Sequence, residues 1–210
     1  MIFMTPTTSI ADQFKRFFGM FESLGSYHNM FRHGFSSWCA DNGRFHPTGL
    51  NPKWTEAKWL HMLDSYPPEM LPYCRFLLVP DVPFDAASTL VAFEQYLPEV
   101  AKRGYPPGFC TQNGMSVADI PWNHIEAIFI GGDNDHKLGH EGAMLGKEAL
   151  RRGKWLHVGR VNSVNRMMKV WWADSCDGTT LALNPGLQRQ CNLVRGITFC
   201  QAKKRNGRLL

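Results

Sequence analysis

The feature that most constrains this chain is a rhythm of short apolar runs, each ending in small or polar residues. Runs such as Phe76–Val79 and Ala127–Ile130 have the length and continuous apolar character of buried parallel strands. The polar tips that follow the runs are Asp41–Gly43, Asp81, Gln112–Gly114, Gly131–Asp133, Gly159–Arg160 and Asp174–Gly178. The pattern predicts several parallel strands whose ends carry polar groups.

Stretches with helical periodicity lie between these runs. They cover residues 85–104, 137–153 and 163–172, with glycines at the ends of the first two. Ser163 is predicted to cap the third, and Asp85 is interpreted as a helix cap rather than a site residue. Strand, polar tip and helix recur about every 20 to 45 residues, which is typical of β/α architecture.

A barrel and an open doubly wound sheet both have this rhythm. The sequence contains neither GxGxxG nor GxxxxGK[ST], which weakens the open nucleotide-binding sheet. Polar residues at successive strand ends suit a barrel, whose chemistry lies on that face. We therefore predict one (β/α)8 TIM-type barrel over residues 1–210, shortened or irregular because the usual length is ~250. The basic tail, about residues 201–210, is expected to be frayed.

Net charge and cysteine content bear on the partners and the cellular compartment of the protein. The net charge of +5 favours polyanionic partners mildly, although a merely solvated basic surface is an equally open interpretation. The six cysteines lie far apart without a CxxC pair, which favours a reducing compartment. We find no secretory leader pattern and no run of 18 apolar residues, so we expect a cytoplasmic protein without membrane contact.

The polar tips supply a coherent set of reactive groups if they converge on one mouth. Two carboxylates can carry a double displacement at an anomeric carbon, in which one attacks and the other handles the proton of the leaving group. An amide side chain and glycine backbone groups suit the edge of a planar heterocycle. On spacing alone, Asp41 and Asp177 are equally typical of turn or cap residues.

Six segments, in this order, resemble the tRNA-guanine transglycosylase superfamily: "ADNGRF", "VPDVPFDA", "CTQNG", "IFIGGD", "HVGRVNS" and "ADSCDGTT". They span about residues 36–180, and the nearest branch is the 7-deazaguanine DNA-modification transglycosylases of phages and bacteria. The resemblance implies a base-exchanging glycosyltransferase that replaces guanine in DNA by a 7-deazaguanine base, such as preQ0 or a derivative. It would act through a covalent aspartyl–nucleoside intermediate in a bacterium or a phage-infected cell. DNA and the free 7-deazaguanine base are the implied partners.

The same resemblance implies a role for each matching residue. Asp177 would be the nucleophile and Asp41 the second catalytic carboxylate, with Asp174 and His157 in supporting positions. Core packing remains an alternative for His157, and Asp174 could instead cap a turn or pair with an arginine. The implied base-binding and phosphate-binding residues are Asn42, Asp81, Gln112, Gly131 and Gly132 for the base, and Arg160 for a phosphate.

The sequence departs from the tRNA enzymes where they bind structural zinc. Their Cys-x-Cys-x-x-Cys cluster has no counterpart here, because Cys191 and Cys200 stand alone. We therefore predict no metal and no cofactor, and tRNA becomes the less favoured substrate. His136 and His140 lack the glutamate of HExxH and are interpreted as core or solvated histidines. A catalytically inactive nucleic-acid-binding homologue and, more distantly, a sugar-cleaving barrel enzyme stay open, as does the oligomeric state.

Overall fold

Eight parallel strands close into a barrel in the computed structural model, which describes residues 1–25 and 28–206. Each barrel strand pairs with the next along the chain, and the last one closes the barrel against the first. The TIM-type barrel predicted from the sequence is therefore confirmed. The barrel strands are β1 (Ile2–Thr5), β2 (Phe18–Glu22), β3 (Trp38–Ala40), β6 (Cys74–Leu78), β7 (Pro107–Cys110), β8 (Ala127–Ile130), β9 (Trp155–Val158) and β10 (Ser175–Asp177). A small antiparallel hairpin, β4 (Phe45–His46) and β5 (Gly49–Leu50), follows β3.

Helices cover the outside of the barrel between the strands. They are α1 (Glu56–Ser65), α2 (Ala86–Ala101), α3 (Asn134–Leu138), α4 (His140–Arg151), α5 (Val164–Lys169), α6 (Thr180–Leu183) and α7 (Leu187–Asn206). Side-chain oxygens of Thr55, Asp85 and Ser163 cap α1, α2 and α5 by accepting a backbone N–H of the first turn. The predicted capping roles of Asp85 and Ser163 are confirmed.

Two connections are shorter than in a regular barrel. A single 3-10 helix, Asp12–Phe17, joins β1 to β2. Two short 3-10 turns, Val117–Asp119 and Trp122–His124, join β7 to β8. Because these segments replace full helices, eight strands fit into 210 residues, as the predicted shortening required.

The helix predicted over residues 137–153 is wrong as a single element. The backbone is extended at Gly139, which separates α3 from α4. A β-carbon at Gly139 would lie 2.3 Å from the carbonyl oxygen of Asp135, so the close turn between the two helices requires glycine. The third predicted helix is shorter than expected, since α5 ends at Lys169 and a turn leads into β10.

The prediction of a frayed tail is wrong for residues 201–206, which continue α7 as regular helix. The amide of Gln201 donates to the carbonyl oxygen of Met1 at 2.9 Å, and Lys204 pairs with Asp174 at 2.5 Å. The last helix is thus bound to the first and last strands of the barrel. Residues 207–210 of the predicted tail lie outside the described residues.

Two apolar clusters hold the barrel together. The larger lies between the barrel wall and the helices and includes Trp38 and Trp59, both fully buried. The smaller fills the barrel interior with Met4, Phe21, Cys39, Phe76, Leu78 and Ala127. Fully burying one large apolar side chain stabilises a fold by about 1.5–3 kcal/mol, so both clusters anchor the strands that carry the mouth.

No helix within residues 1–25 and 28–206 combines the length and the apolar character needed to cross a bilayer.

Candidate active site

A cavity opens at the mouth formed by the carboxyl ends of the barrel strands. Its walls carry both polar and aromatic side chains, as the walls of ligand pockets commonly do. The predicted site residues that line it are Asp41, Asp81, Gln112, Gly131, Gly132, Arg160 and Asp177. Asn42 and His157 hydrogen-bond to two of these residues from behind. The structure therefore brings nine of the ten predicted residues to one place.

Asp177 is the last residue of β10 and is held through one of its two carboxylate oxygens. Its Oδ1 lies 2.9 Å from Nε2 of His157 and accepts the backbone N–H of Arg160 at 3.1 Å. Its Oδ2 hydrogen-bonds to no group in the described part of the chain. The carboxylate is consequently fixed in orientation while one oxygen remains available for chemistry.

A directional chain of hydrogen bonds fixes the ring of His157. The indole Nε1–H of Trp155 can only donate, and it donates to Oγ of Ser175 at 2.8 Å. The hydroxyl of Ser175 lies 2.8 Å from Nδ1 of His157 and is thereby free to donate to it. In this arrangement Nε2 carries the imidazole proton and donates to Asp177. The ring is also stacked on Phe129, at 4.7 Å between centroids.

The buried carboxylate of Asp81 is the centre of an amide network. Its two oxygens accept from Nδ2 of Asn42 at 2.8 Å and from Nε2 of Gln112 at 2.7 Å. Gln112 in turn accepts the backbone N–H of Phe84 at 2.8 Å. The Cys110 thiol is a further hydrogen-bond donor to Asp81. Burial raises the pKa of Asp81 above its usual value.

Asp41 follows β3 and lies across the cavity from Asp177. Burial, followed by the charge of Asp81, raises the pKa of Asp41 to about 7, against an opposing hydrogen bond from the N–H of Gly43. A carboxyl group with this pKa exchanges its proton near neutral pH, which is the property of a general acid or base. The two catalytic candidates therefore differ in setting, because Asp177 is anchored by donors and Asp41 is crowded by another carboxylate.

The Gly131–Gly132 turn after β8 brings backbone groups to the cavity wall. A β-carbon at Gly131 would lie 2.6 Å from the carbonyl oxygen of Thr111, and Gly132 has φ +71°. Side chains are thus excluded from both positions. The N–H of Gly132 donates to no group among the described residues, while its carbonyl accepts from the Arg160 guanidinium at 2.6 Å. A ligand edge can meet this N–H.

Two aromatic side chains that the sequence reasoning missed form the rim. Phe45 and Phe84 contact each other edge to face at 6.1 Å, and the guanidinium of Arg160 lies 4.4 Å from the Phe45 ring centre. Phe84 and Arg160 are the two non-glycine residues with positive φ in the described ranges. Left-handed backbone costs such residues about 1–2 kcal/mol each, so strain is concentrated at this mouth. The available signal was position, since both aromatics follow a predicted polar tip within four residues.

The supporting role predicted for Asp174 is wrong in position. Asp174 precedes β10, and its Oδ2 accepts the N–H of Leu156 at 3.0 Å at the opposite end of the barrel. Three residues of strand separate it from Asp177 by about 10 Å. Its ion-pair partner is Lys204 rather than an arginine of the mouth.

Groups able to bind a metal are dispersed in the described ranges, where no three His, Cys, Asp or Glu side chains are arranged around a common point. His136 is buried and pairs with Glu141 at 2.7 Å, and His140 is exposed. The six cysteines are free thiols, five of them buried. The interpretation of these two histidines as core or solvated residues agrees with the buried position of His136 and the exposed position of His140.

Comparison with known proteins finds distant similarities of structure but none of sequence. No protein-family model matches the sequence, and no curated protein matches it. Among solved structures, the chain is similar to 3-hexulose-6-phosphate synthase from Salmonella typhimurium, with 9% sequence identity and a TM-score of 0.49. The match covers 83% of this chain and 77% of the other. A similarity this low leaves the chemistry of the present protein open.

Proposed function

We propose that this protein is a DNA guanine transglycosylase, which exchanges guanine in DNA for a 7-deazaguanine base such as preQ0 or a derivative. The observation that carries the proposal is the free Oδ2 of Asp177, anchored through Oδ1 and placed in a cavity with a second carboxylate of raised pKa. The order of the six sequence segments supports the reaction class and the DNA branch. The basic net charge of +5 is consistent with a polyanionic substrate.

In the first half of the reaction Asp177 is the nucleophile. Its Oδ2 attacks C1′ of the target nucleotide, an ester bond forms, and the C1′–N9 bond to guanine breaks. The hydrogen bonds of His157 and the Arg160 N–H to Oδ1 keep the attacking oxygen in place. Asp41, whose pKa of about 7 leaves it partly protonated at neutral pH, gives its proton to the departing guanine.

In the second half the roles reverse. The ionised Asp41 takes a proton from the incoming 7-deazaguanine, whose nitrogen attacks C1′ as the ester to Asp177 breaks. Atoms and charges balance over the two steps, since Asp41 begins and ends protonated and Asp177 begins and ends as a carboxylate.

Recognition of the base falls to Asp81 and the Gly132 backbone. Guanine presents adjacent N–H groups on its pairing edge, and the carboxylate of Asp81 on the cavity wall is the acceptor we propose for them. Asn42 and Gln112 fix the carboxylate in the plane needed for that contact. The target nucleotide must leave the base stack to reach the cavity, at a cost of a few kcal/mol, and the aromatic rim of Phe45 and Phe84 offers a surface on which the base can stack.

Incorporation of labelled base tests this proposal. The protein is incubated separately with duplex DNA, single-stranded DNA and unmodified tRNA, each with isotopically labelled guanine or labelled 7-deazaguanines. Labelled guanine is the first probe because guanine-for-guanine exchange requires no knowledge of the natural incoming base. Mass spectrometry of the nucleosides after digestion then measures the incorporation.

Label in DNA nucleosides, absent from a parallel reaction with Asp177→Asn, is the expected result. Label confined to tRNA would replace the DNA assignment by the tRNA one. Folded protein that labels neither polymer with any of the bases would overturn base exchange and favour an inactive binding protein.

A further inference from the structure

A second cleft adjoins the base cavity. Phe84 and Arg160 line both spaces, so the cleft begins at the rim where the base would enter. Its other walls come from α3 and the loop before it, after β8, and from the start of α5, after β9. Asp133 and Asn134 on its edge are exposed, which leaves the cleft open to a chain passing along the surface.

Lys137 is the unusual residue of this cleft. Its side chain is 1% exposed, yet its ammonium group has no hydrogen bond and no ion pair within residues 1–25 and 28–206. A buried charge without a partner is costly. Burial, with Arg160 next in importance, lowers the pKa of Lys137 to about 8. The fold therefore keeps an uncompensated cation in a position that opens into a cleft.

The surrounding charges leave the positive excess uncancelled. Arg160 uses one guanidinium nitrogen on the Gly132 carbonyl, and the guanidinium of Arg166 has no partner in the described part of the chain. Among the described residues on the wall, the carboxylate is that of Asp133, and both its oxygens already accept, from the His136 N–H and from Asn113. The charge of Asp177 also acts on Lys137 from the neighbouring cavity. Three cationic side chains thus outnumber these two carboxylates, and none of the three forms an ion pair with either of them in the described ranges.

We infer that this cleft is a phosphate subsite in which Lys137, Arg160 and Arg166 bind a phosphodiester of DNA, next to the nucleotide whose base occupies the neighbouring cavity. An oxyanion would supply the missing partner of the Lys137 ammonium, and arginine guanidinium groups match phosphate oxygens in pairs. The choice of a phosphodiester rests on the proposed function and on the shared rim residues. Arg160 is the phosphate-binding residue named from the sequence, and in the inferred subsite Lys137 takes the central position.

Binding of a short oligodeoxynucleotide over a range of salt concentrations tests the inference. Lys137→Met keeps the aliphatic stem and removes the charge, and Lys147→Met is the matched control because Lys147 is exposed on α4 away from the cleft. We expect Lys137→Met to weaken binding about tenfold and to reduce the slope of log K against log salt by about one. Lys147→Met should change the affinity and the salt slope by no more than about a third of the changes expected for Lys137→Met.

Thermal unfolding separates a binding role from a structural one. Removal of an unpaired buried charge should leave the melting temperature of Lys137→Met unchanged or higher. A lower melting temperature with an unchanged salt slope would make Lys137 a packing residue and overturn the subsite. Arg166→Gln, on a partly exposed side chain, is the second variant, and it should show the same loss of slope without any effect on folding.

Two further experiments distinguish a DNA phosphodiester from a free phosphate, and the phosphate subsite from the proposed base exchange. Inorganic phosphate and a nucleoside monophosphate are titrated against the same variants; binding that depends on Lys137 with these probes, but not with the oligonucleotide, would overturn the DNA assignment. Lys137-dependent oligonucleotide binding by a wild-type protein that exchanges no base would leave the subsite standing and remove the transglycosylase. Normal exchange and normal DNA affinity in Lys137→Met would remove the subsite alone.

Discussion

Asp174 directly precedes β10 and Asp177 ends it. The two carboxylates, at opposite ends of the barrel, differ in the groups that bind them. Asp174 pairs with Lys204 and accepts the N–H of Leu156, so both of its oxygens are occupied in binding α7 and β9. Asp177 is held through Oδ1 alone, and in the described part of the chain no lysine or arginine side chain pairs with it. The carboxylate of Asp174 therefore stabilises the fold, whereas that of Asp177 keeps one oxygen free.

The difference follows from what surrounds each end. At the Asp174 end the neighbouring groups are complementary, and an opposite charge and a backbone donor satisfy the side chain. At the Asp177 end, carboxylates share a cavity, two non-glycine residues have left-handed backbone, and the buried Lys137 forms no ion pair within the described residues. Stored strain and unmatched charge of this kind are expected at a site of function rather than in a stabilising network.

The largest effect should come from Asp177→Asn. The amide keeps an oxygen for the donors of His157 and Arg160, but it cannot form the same ester, so exchange should fall by more than ~10³-fold with little change in stability. Nucleoside mass spectrometry and a denaturant melt measure the two quantities. Exchange at a near-normal rate would mean that the free oxygen at this end has no catalytic use.

His157→Phe should have the next largest effect. Phenylalanine preserves the stacking on Phe129 but leaves Asp177 without its side-chain donor. Loss of alignment of this size costs about 10²-fold in rate. The variant Ser175→Ala, which interrupts the chain to Trp155 one step further back, should lose less activity. An equal loss from both would indicate that the barrel interior, rather than the carboxylate, has been disturbed.

Asp41→Asn tests whether ionisation of the buried Asp41 carboxyl group destabilises the folded protein as pH rises. The pKa of Asp41 is raised to about 7 in the folded protein, against about 3.9 in an unfolded chain, so the folded state binds the extra proton between these values. Stability should therefore fall as pH rises from about 4 to about 7, by on the order of 2 kcal/mol. Asp41→Asn should flatten this dependence in urea melts at several pH values. Its exchange rate should also lose the inflection near pH 7.

The smallest effect should come from Asp174→Asn, which breaks the partly exposed pair with Lys204 and lowers stability by about 0.5–1 kcal/mol. Exchange activity should stay within twofold of the wild type. A double-mutant cycle with Lys204→Met isolates the pair. A loss of exchange without a loss of stability would mean that Asp174 takes part in the reaction. The two ends of the barrel would then not differ as described.

The sequence predicted the barrel through the strands after residue 35 and missed β1 and β2. Those two strands are joined by a 3-10 helix instead of an α-helix, so the strand–helix rhythm is absent from residues 2–22. Length alone required a shortened barrel, yet it could not locate the shortened connections. The break at Gly139 was equally hidden, because it depends on a close approach to the Asp135 carbonyl that no periodicity records.

The positions of the predicted site residues could be inferred from the sequence where a residue lies directly at a strand end. Asp41, Asp81, Gln112 and Asp177 meet at one mouth because parallel strands end on the same side. Asp174 was misplaced because proximity along a strand does not mean proximity in space, since each step moves the side chain by about 3.3 Å. Lys137 was missed because its burial and lack of a partner exist only in three dimensions.

The closure of the barrel by β10 against β1 has a consequence for synthesis of the chain. Met4 and Asp177 are partners in register, so the barrel strand that is made last pairs with the one that is made first. Closing so long a loop is a late and entropically costly event. Asp41, Asp81 and Gln112 consequently share a cavity with Asp177 only once the barrel has closed. A chain interrupted before β10 can hold the first three residues, but it lacks the proposed nucleophile.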